Sequence, residues 1–283
     1  MSCYLCGGNS FEIIFEYDKL DKYEEAVIEK QPDYSRKWVR CQTCNLVYSI
    51  TNFVGDINFI YSGKYRSKEF RGETPEEMFN KISSLPKDQS ENHYRIQYLK
   101  EAYDRINPMY FNTTKKKQDI KKILDVGFGF CIFLGEYISP GWEGYGIDPD
   151  ASCCEFASKK LNINTHNGFY KKGIFNIKFD VITLIHVLEH FKDPITLLRD
   201  IHTDLDVNGL AYIEVPDDVE FYLFDKDHDE FNSCHYYMFN LPSLSKMLTI
   251  AGFRVVDARA ILNSRGYRRI MAIAIKDNPS SVI

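Results

Sequence analysis

The chain has 283 residues, a hydrophobic fraction of 44% and a formal net charge of −5 from 35 basic and 40 acidic side chains. Its length suits one large α/β domain with a small appendage, and its hydrophobic content excludes a disordered chain. No apolar run reaches the roughly 18 residues of a membrane-spanning helix, and the N-terminus lacks a secretory signal. We therefore expect a cytoplasmic protein without a membrane partner, and the acidic balance argues against nucleic acid as a partner.

Residues 1–65 are expected to form a small zinc-binding β module. Two cysteine pairs, Cys3-x-x-Cys6 and Cys41-x-x-Cys44, lie 34 residues apart among short β-like runs at 11–17 and 38–48. Without an export signal thiols stay reduced, so we interpret the pairs as metal ligands before disulfides. Turn-forming residues after each pair aim backbone N–H groups at sulfur. We expect structural Zn²⁺ with four thiolate ligands; the alternative is four buried or redox cysteines.

Residues 66–120 are expected to be a linker with one helical segment. The chain from 51 to 92 is polar and rich in glycine and proline. From 93 to 107, aromatic and aliphatic residues recur at four-residue steps, which favours a helix. Lysines at 115–117 then lead into the last part of the chain.

Residues 121–283 alternate between predicted strands and helices. Strands are expected at 123–126, 144–148, 162–166, 179–185 and 210–215, and helices at 130–138, 150–160, 194–205 and 241–251. Such alternation predicts a mostly parallel sheet with helices on both faces. Two final strands, 253–262 and 268–276, flank a short turn and must be antiparallel. The expected fold is a Rossmann-like seven-stranded sheet with an antiparallel last strand.

A glycine turn follows the first of these strands, in the segment Leu124-Asp125-Val126-Gly127-Phe128-Gly129-Phe130. Glycines at this position let a ligand approach the backbone closely. A dinucleotide fingerprint would need a third glycine where Ile132 stands, which favours a ligand without a pyrophosphate. Asp148, 21 residues after Gly127, ends the second strand, where an acid typically binds ribose hydroxyls. Alternatively, Asp148 caps the next helix.

These segments, together with Phe179-Asp180-Val181-Ile182 and His186-Val187-Leu188-Glu189-His190-Phe191-Lys192-Asp193-Pro194, resemble the class I S-adenosylmethionine-dependent methyltransferases. The resemblance implies that the two glycines border the methionine part of the cofactor, that Asp148 binds the ribose, and that Gly168 and Phe169 lie by the adenine. We expect a cofactor site made of Asp125, Gly127, Gly129, Asp148, Pro149, Gly168, Phe169, His186 and Val187.

The N-terminal region has a resemblance of its own. Cys41-Gln42-Thr43-Cys44-Asn45-Leu46-Val47-Tyr48 and Tyr61-Ser62-Gly63-Lys64-Tyr65 are similar to the front end of zinc-containing sugar methyltransferases. The resemblance implies that Tyr61 and Tyr65 reach the cofactor or substrate; alternatively, they pack the module onto the main domain. The sugar C-methyltransferases carry a further C-terminal domain, whereas this sequence ends after the last strand.

We therefore expect O- or N-methylation of a small polar metabolite or activated sugar, phosphorylated or nucleotide-linked, in capsule or polysaccharide-type biosynthesis. The alternatives are a sugar C-methyltransferase, and an RNA or protein methyltransferase whose zinc module recognises the substrate.

Methylation of a hydroxyl group requires a base that removes its proton. Histidine suits this role because its pKa lies near neutrality. Glu189 and His190 follow the fourth strand of the predicted sheet, at the edge where such sheets bind ligands. His235 lies in the loop after the fifth strand and is the preferred base. The alternatives are that Glu189 and His190 only shape their loop and that His235 is packed by the surrounding aromatic residues. Three arginines of the last hairpin, at 265, 268 and 269, are expected to form a solvated turn and alternatively to bind phosphate.

Overall fold

The computed structural model describes residues 2–63, 66, 68, 72–110 and 120–276, so the lysines at 115–117 lie outside the described residues. Its strands are β1 (Phe11–Tyr17), β2 (Arg36–Cys41), β3 (Val47–Thr51), β4 (Lys121–Val126), β5 (Trp142–Asp148), β6 (Asn164–Asn167), β7 (Phe179–Ile185), β8 (Leu205–Pro216), β9 (Tyr237–Met238), β10 (Phe253–Leu262) and β11 (Arg268–Lys276). Its α-helices are α1 (Lys22–Glu25), α2 (Pro75–Ser83), α3 (Glu91–Tyr110), α4 (Ile132–Tyr137), α5 (Ala151–Leu161), α6 (Pro194–Asp204) and α7 (Leu241–Ile250). Short 3-10 helices cover Ile57–Tyr61, Lys87–Gln89, Leu188–His190, Asp218–Tyr222 and Asp229–Phe231.

The larger sheet has the order β10-β11-β8-β7-β4-β5-β6. Strands β4 to β8 pair in parallel, and β11 is antiparallel to both β8 and β10. This confirms the predicted Rossmann-like fold with a mostly parallel seven-stranded sheet. The chain runs outward from β4 to β6 on one side and from β7 to β8 on the other. The crevice where the direction changes, at the carboxyl ends of β4 and β7, is the usual ligand site of such sheets.

The two faces of the larger sheet contribute to two different hydrophobic cores. On one face, side chains such as Leu124, Ile182 and Ile213 pack with α6 and α7. On the other face, Ile123 and Tyr212 pack with α3, α4 and α5. Because successive side chains of a strand point to opposite faces, continuous apolar strands are what a sheet covered on both faces requires.

A smaller antiparallel sheet has the order β1-β2-β3-β9. The β-like run predicted at 38–48 is two strands, because the chain reverses through Cys41–Cys44 and Asn45 adopts a left-handed conformation with φ 59°. The fourth strand, β9, comes from the loop after β8 and pairs with Val47 and Tyr48. Val39 and Leu46 of this sheet belong to the same core as α6 and α7. The module and the sheet therefore share one hydrophobic core.

Helix α2 and strand β8 also differ from their predicted forms. Helix α2 lies in a stretch expected to be turn-rich; Thr74 and Glu77 form a capping box around Pro75, a local signal that could have revealed it. Strand β8 begins at Leu205, earlier than predicted, because Leu205 pairs with Phe179 before a break in register. Within the part of the chain that the structure describes, no helix is long and apolar enough to cross a membrane.

Candidate active site

The glycine turn after β4 leaves no room for a side chain. Gly127 has φ +69°, and a Cβ atom there would lie 2.7 Å from Cγ2 of Val187. Gly129 also has a left-handed conformation, with φ +57°. A backbone in this conformation is accessible to glycine and strained for other residues. The turn therefore keeps backbone atoms open to a ligand at the switch point of the sheet.

Asp148 ends β5 beside this turn and is fully buried. Its carboxylate accepts hydrogen bonds from the backbone N–H groups of Gly129 and Asp150, each at 2.9 Å. Nη1 of Arg66 lies 3.0 Å from its Oδ1 atom. The N-cap of α5 is Asp150, whose carboxylate accepts from Ser152 N. The interpretation of Asp148 as the cap of this helix is therefore wrong.

A cavity of about 930 Å³ opens at this edge of the sheet. Its volume lies in the range of small-molecule and cofactor sites. It brings together predicted site residues that are distant in sequence: Tyr61, Gly127, Asp148, Pro149, Gly168, Phe169, His186, Val187, Glu189, His190 and His235.

The remaining predicted cofactor residues lie elsewhere. Gly129 contacts the site through its hydrogen bond to Asp148. Asp125 does not line the cavity; it is 2% exposed and accepts a hydrogen bond of 2.6 Å from Oγ1 of Thr183. Tyr65 is outside the described residues.

A chain of ionic contacts runs from His186 and Glu189 in the cavity wall to Glu214 and Arg95 behind it. Nη2 of Arg95 lies 2.5 Å from Oε1 of Glu214, and the Tyr212 hydroxyl donates to Oε2 of Glu214. Nε2 of His186 lies 3.1 Å from Oε1 of Glu214, and its Nδ1 lies 3.3 Å from Oε1 of Glu189. Burial alone lowers the pKa of His186, but the contacts with Glu189 and Glu214 outweigh it and raise the pKa above its ordinary value. His186 thus links two carboxylates.

Glu189, His190 and His235 converge on one part of the cavity, each with a metal-ligating atom within 4.8 Å of the others. Nδ1 of His190 lies 2.9 Å from the Cys234 carbonyl oxygen, and Nδ1 of His235 lies 2.8 Å from that of Glu230. Burial lowers the pKa of His190 to about 4. Burial favours a raised pKa for Glu189, but the adjacent imidazoles, His186 first, lower it to about 2. A neutral imidazole and an ionised carboxylate therefore face the cavity at neutral pH.

The four N-terminal cysteines form a compact cluster. Sγ of Cys3 lies 3.6 Å from Sγ of Cys44, and Sγ of Cys6 lies 3.6 Å from Sγ of Cys41. Backbone N–H groups of Gly8 and Thr43 each donate to sulfur at 3.4 Å. All eight cysteines of the chain are free thiols. Sulfurs about 3.8 Å apart are what a tetrahedral ion with Zn–S bonds of about 2.3 Å requires, so the donor set fits Zn²⁺.

The cysteine cluster is tied to the cavity wall. The Tyr4 hydroxyl, inside the first cysteine pair, donates to the carboxylate of Asp193, which lines the cavity. The Tyr237 hydroxyl donates to the carbonyl oxygen of Lys192, and Nδ2 of Asn240 donates to that of Asn45 at 3.1 Å. Two neighbouring residues of the cavity wall, Lys192 and Asp193, are thus in contact with the small sheet and the cysteine cluster.

Sequence reasoning missed Arg66 and misjudged Arg269 of the last hairpin. Arg66 contacts Asp148 from a glycine-rich stretch without a local signal. Arg265 is exposed in the turn, as expected, whereas Arg269 is 2% exposed and pairs with Glu230 at 2.7 Å. Arg265 and Arg269 line the cavity. The expectation failed for Arg269 because β11 pairs with β8, and this pairing brings the residue to the ligand edge of the sheet.

Comparison with known proteins agrees with this geometry. A family profile described as a methyltransferase domain matches residues 92–258, more than half of the chain. The matched segment runs from α3 into β10 and includes the glycine turn, Asp148 and the three converging residues Glu189, His190 and His235. No curated protein sequence matches the chain.

Solved structures share the fold at low sequence identity. One is the magnesium protoporphyrin IX methyltransferase of Synechocystis with bound S-adenosylhomocysteine, at a TM-score of 0.53 and 13% identity, covering 78% of this chain and 100% of that one. Another is the carbon methyltransferase CurJ, at a TM-score of 0.51 and 12% identity, covering 77% of this chain and 65% of that one. These likenesses show a class I S-adenosylmethionine-dependent methyltransferase fold.

Proposed function

The chain belongs to the methyltransferase domain family, and from that premise we propose that it transfers the methyl group of S-adenosylmethionine to an oxygen or nitrogen atom of a small polar acceptor. One observation carries the proposal: a single cavity joins the glycine turn and Asp148 to the wall that holds Glu189, His190 and His235. The first part has the chemistry for a nucleoside with an amino-acid tail. The second part has the chemistry to accept a proton.

In this proposal the methionine part of the cofactor lies along the glycine turn and beside Val187. The ribose hydroxyls bind the Asp148 carboxylate, and the adenine lies between Pro149 and Phe169. Ribose binding would release Arg66 from Asp148, so that its guanidinium can pair with the carboxylate of the cofactor.

Methyl transfer from a sulfonium is an in-line displacement, so most of the catalysis comes from holding the acceptor against the methyl group. We assign the general base to His235, because its Nδ1 is held by the Glu230 carbonyl oxygen and its other nitrogen is available to accept a proton. His190 and Glu189 contact the same part of the cavity. The Tyr61 hydroxyl, 3.0 Å from Nδ1 of His190, connects the N-terminal module to this wall.

We further propose that the acceptor carries phosphate or a nucleotide and is an activated sugar of the capsule or polysaccharide type. Lys192, Arg265 and Arg269 line the cavity and supply cationic groups for phosphate oxygens. The similarity of the N-terminal region to zinc-containing sugar methyltransferases supports the same acceptor class.

The proposed chain organisation has three parts. Residues 1–65 form a module with structural Zn²⁺ bound by Cys3, Cys6, Cys41 and Cys44, residues 66–120 connect it, and residues 121–283 form the cofactor-binding domain. A four-thiolate site has no open position, so the zinc stabilises the module and takes no part in methyl transfer.

Ligand-dependent thermal unfolding tests the cofactor site. We expect S-adenosylhomocysteine to raise the melting temperature, and Asp148→Ala to abolish the rise because the ribose loses its acceptor. Asp180→Ala is the matched control: Asp180 is also a buried strand acid, but it binds the backbone of Lys122 away from the cavity. Stabilisation by NAD in place of S-adenosylhomocysteine would contradict the proposal.

Transfer from methyl-labelled S-adenosylmethionine into a cell extract, separated by size, tests the acceptor class. Label in the small-molecule fraction supports the proposal and identifies the acceptor for mass analysis. Label in RNA or protein would overturn the small-molecule proposal and direct attention to the zinc module as the recognition element.

A further inference from the structure

The acceptor side of the cavity holds a buried carboxylate without a hydrogen-bond partner. Glu189 is 0% exposed, and among the described residues no hydrogen-bond donor reaches its Oε1 or its Oε2 atom. Desolvating a carboxylate oxygen without a partner is costly, so such a group calls for a bound partner. One metal-ligating atom each of Glu189, His190 and His235 lies within 4.8 Å of the others.

Both imidazoles are held in the orientation that metal-binding histidines adopt. Nδ1 of His190 lies 2.9 Å from the Cys234 carbonyl oxygen, and Nδ1 of His235 lies 2.8 Å from the Glu230 carbonyl oxygen. A carbonyl oxygen only accepts, so Nδ1 carries the proton and Nε2 carries the lone pair. A backbone carbonyl that fixes the tautomer in this way is a usual outer partner of a metal-ligating histidine.

Glu189 is held in place as well. Its Oε1 atom lies 3.3 Å from Nδ1 of His186, and Nε2 of His186 lies 3.1 Å from Glu214. Arg95 pairs with Glu214 in turn. His186 has a left-handed backbone with φ 54°, which is uncommon for a residue other than glycine and is found preferentially at functional sites. Oε1 of Glu189 thus faces His186, and Oε2 is the oxygen available as a ligand atom.

We propose that Glu189, His190 and His235 bind a divalent first-row transition-metal ion with open coordination positions toward the cavity. Two imidazoles and one carboxylate are the donor set of catalytic zinc sites and of non-haem iron sites. This site is separate from the four-cysteine cluster, whose thiolates complete a closed tetrahedral set.

The catalytic use of this metal rests on the proposed methyltransferase function. A hydroxyl of the acceptor binds the ion at an open position, its O–H bond breaks and the proton leaves to water. The oxygen then attacks the methyl carbon of S-adenosylmethionine, an O–C bond forms, and the C–S bond breaks with its electron pair remaining on sulfur as S-adenosylhomocysteine. In this mechanism His235 is a metal ligand in place of the general base, because the ion lowers the pKa of the bound hydroxyl. The acceptor is therefore a hydroxyl compound, which excludes the nitrogen acceptors allowed above.

Titration with Co²⁺, followed by calorimetry and visible absorption, tests the site in the full-length protein after its cysteine cluster has been filled with Zn²⁺. We expect one further equivalent of Co²⁺ whose spectrum lacks thiolate charge-transfer bands. His235→Ala and Glu189→Gln should each weaken this binding by at least about tenfold, the scale of ligand-shell losses. His228→Ala is the matched control, because His228 lies in the same loop but stacks on Phe224 outside the cluster.

Thermal stabilisation by S-adenosylhomocysteine, measured on every variant, reports folding and separates the two proposals; His235→Gln replaces His235→Ala if the alanine variant does not fold. Absence of the second Co²⁺, or equal Co²⁺ affinity in the wild type and the ligand variants, overturns the metal site while the methyltransferase function stands. Failure of S-adenosylhomocysteine to stabilise the wild type counts against the proposed function, whatever the cobalt result.

Discussion

Two acidic residues lie near the carboxyl ends of adjacent parallel strands, in different surroundings. Asp125 of β4 is buried, does not line the cavity and accepts a hydrogen bond from Thr183. Burial raises its pKa to about 7, with a further increase from the neighbouring Asp148. Asp148 instead accepts hydrogen bonds from two backbone N–H groups and lines the cavity. Asp125 therefore affects the pH dependence of stability, whereas Asp148 is available to a ligand.

We expect Asp125→Asn to stabilise the protein at alkaline pH. A folded pKa near 7 exceeds the unfolded value of about 3.9, so the folded state binds a proton more tightly and stability falls as pH rises from about 4 to 7. The asparagine side chain does not ionise, so the variant does not lose stability in this way. At pH 8 the free energy of unfolding should rise by up to about 4 kcal/mol, at about 1.4 kcal/mol per pKa unit, and change little at pH 4.

Urea unfolding across this pH range measures the effect of Asp125→Asn. Asp104→Asn, in an exposed position of α3, is the control and should leave the profile unchanged. If wild type and Asp125→Asn showed parallel profiles, the carboxylate would be ionised in the fold without cost.

At the scale of elements, the turn between β4 and α4 is shaped by its contact with the segment after β7. Gly127 packs against Val187, which follows the left-handed His186. Because β4 and β7 are neighbours in the sheet, the two turns fix each other. The parts of the cavity at the glycine turn and at the segment after β7 therefore share one boundary.

Gly127→Ala should destabilise the protein more than backbone strain alone explains. Gly173→Ala is the matched control: its φ is +77° and its added Cβ would meet nothing within 4 Å. The control should cost about 1–2 kcal/mol from the left-handed conformation. Gly127 carries the same strain with φ +69°, and its Cβ would lie 2.7 Å from Val187. We expect a larger loss in urea unfolding together with weaker S-adenosylhomocysteine binding.

A double variant isolates the contact in Gly127→Ala. Combining Gly127→Ala with Val187→Ala should recover part of the lost stability, since the shorter side chain removes the clash. Equal losses in Gly127→Ala and Gly173→Ala would mean that the turn moves freely away from the Val187 segment.

For the whole molecule, the N-terminal module and the methyltransferase domain are joined by the loop that follows β8. This loop supplies β9 to the small sheet and His235 to the cavity. Asn240 of the same loop donates to the backbone of Asn45, next to the second cysteine pair. Damage to the cysteine cluster should therefore reach the acceptor side of the cavity.

Cys41→Ser should lower zinc content and loosen this loop. We expect the wild type to bind one Zn²⁺ per chain in the cluster, and the variant to lose it together with several kcal/mol of stability, as is typical of structural zinc. Proteolysis or hydrogen exchange should increase between residues 217 and 240. Cys153→Ser, at an equally buried cysteine of α5, is the control and should retain the metal. Zinc content unaffected by Cys41→Ser would contradict the four-thiolate site.

The sequence by itself determined most elements of the large sheet and the chemistry of the separate motifs. Continuous apolar runs and glycine turns are local signals, so the parallel sheet, its antiparallel end and the turn at Gly127 could be predicted from neighbouring residues. The same holds for the two cysteine pairs, because knuckle geometry is formed within a few residues.

Only the tertiary structure decided which motifs meet. Strand β9 has two residues, too few for a periodic signal, and it forms because Val47 and Tyr48 offer an open edge. Arg66 reaches Asp148, and His190 meets His235, through contacts between segments far apart in the chain. Such contacts depend on sheet order and shared core packing, which local sequence patterns do not encode. The cavity that unites the cofactor and acceptor sides is a property of the folded chain.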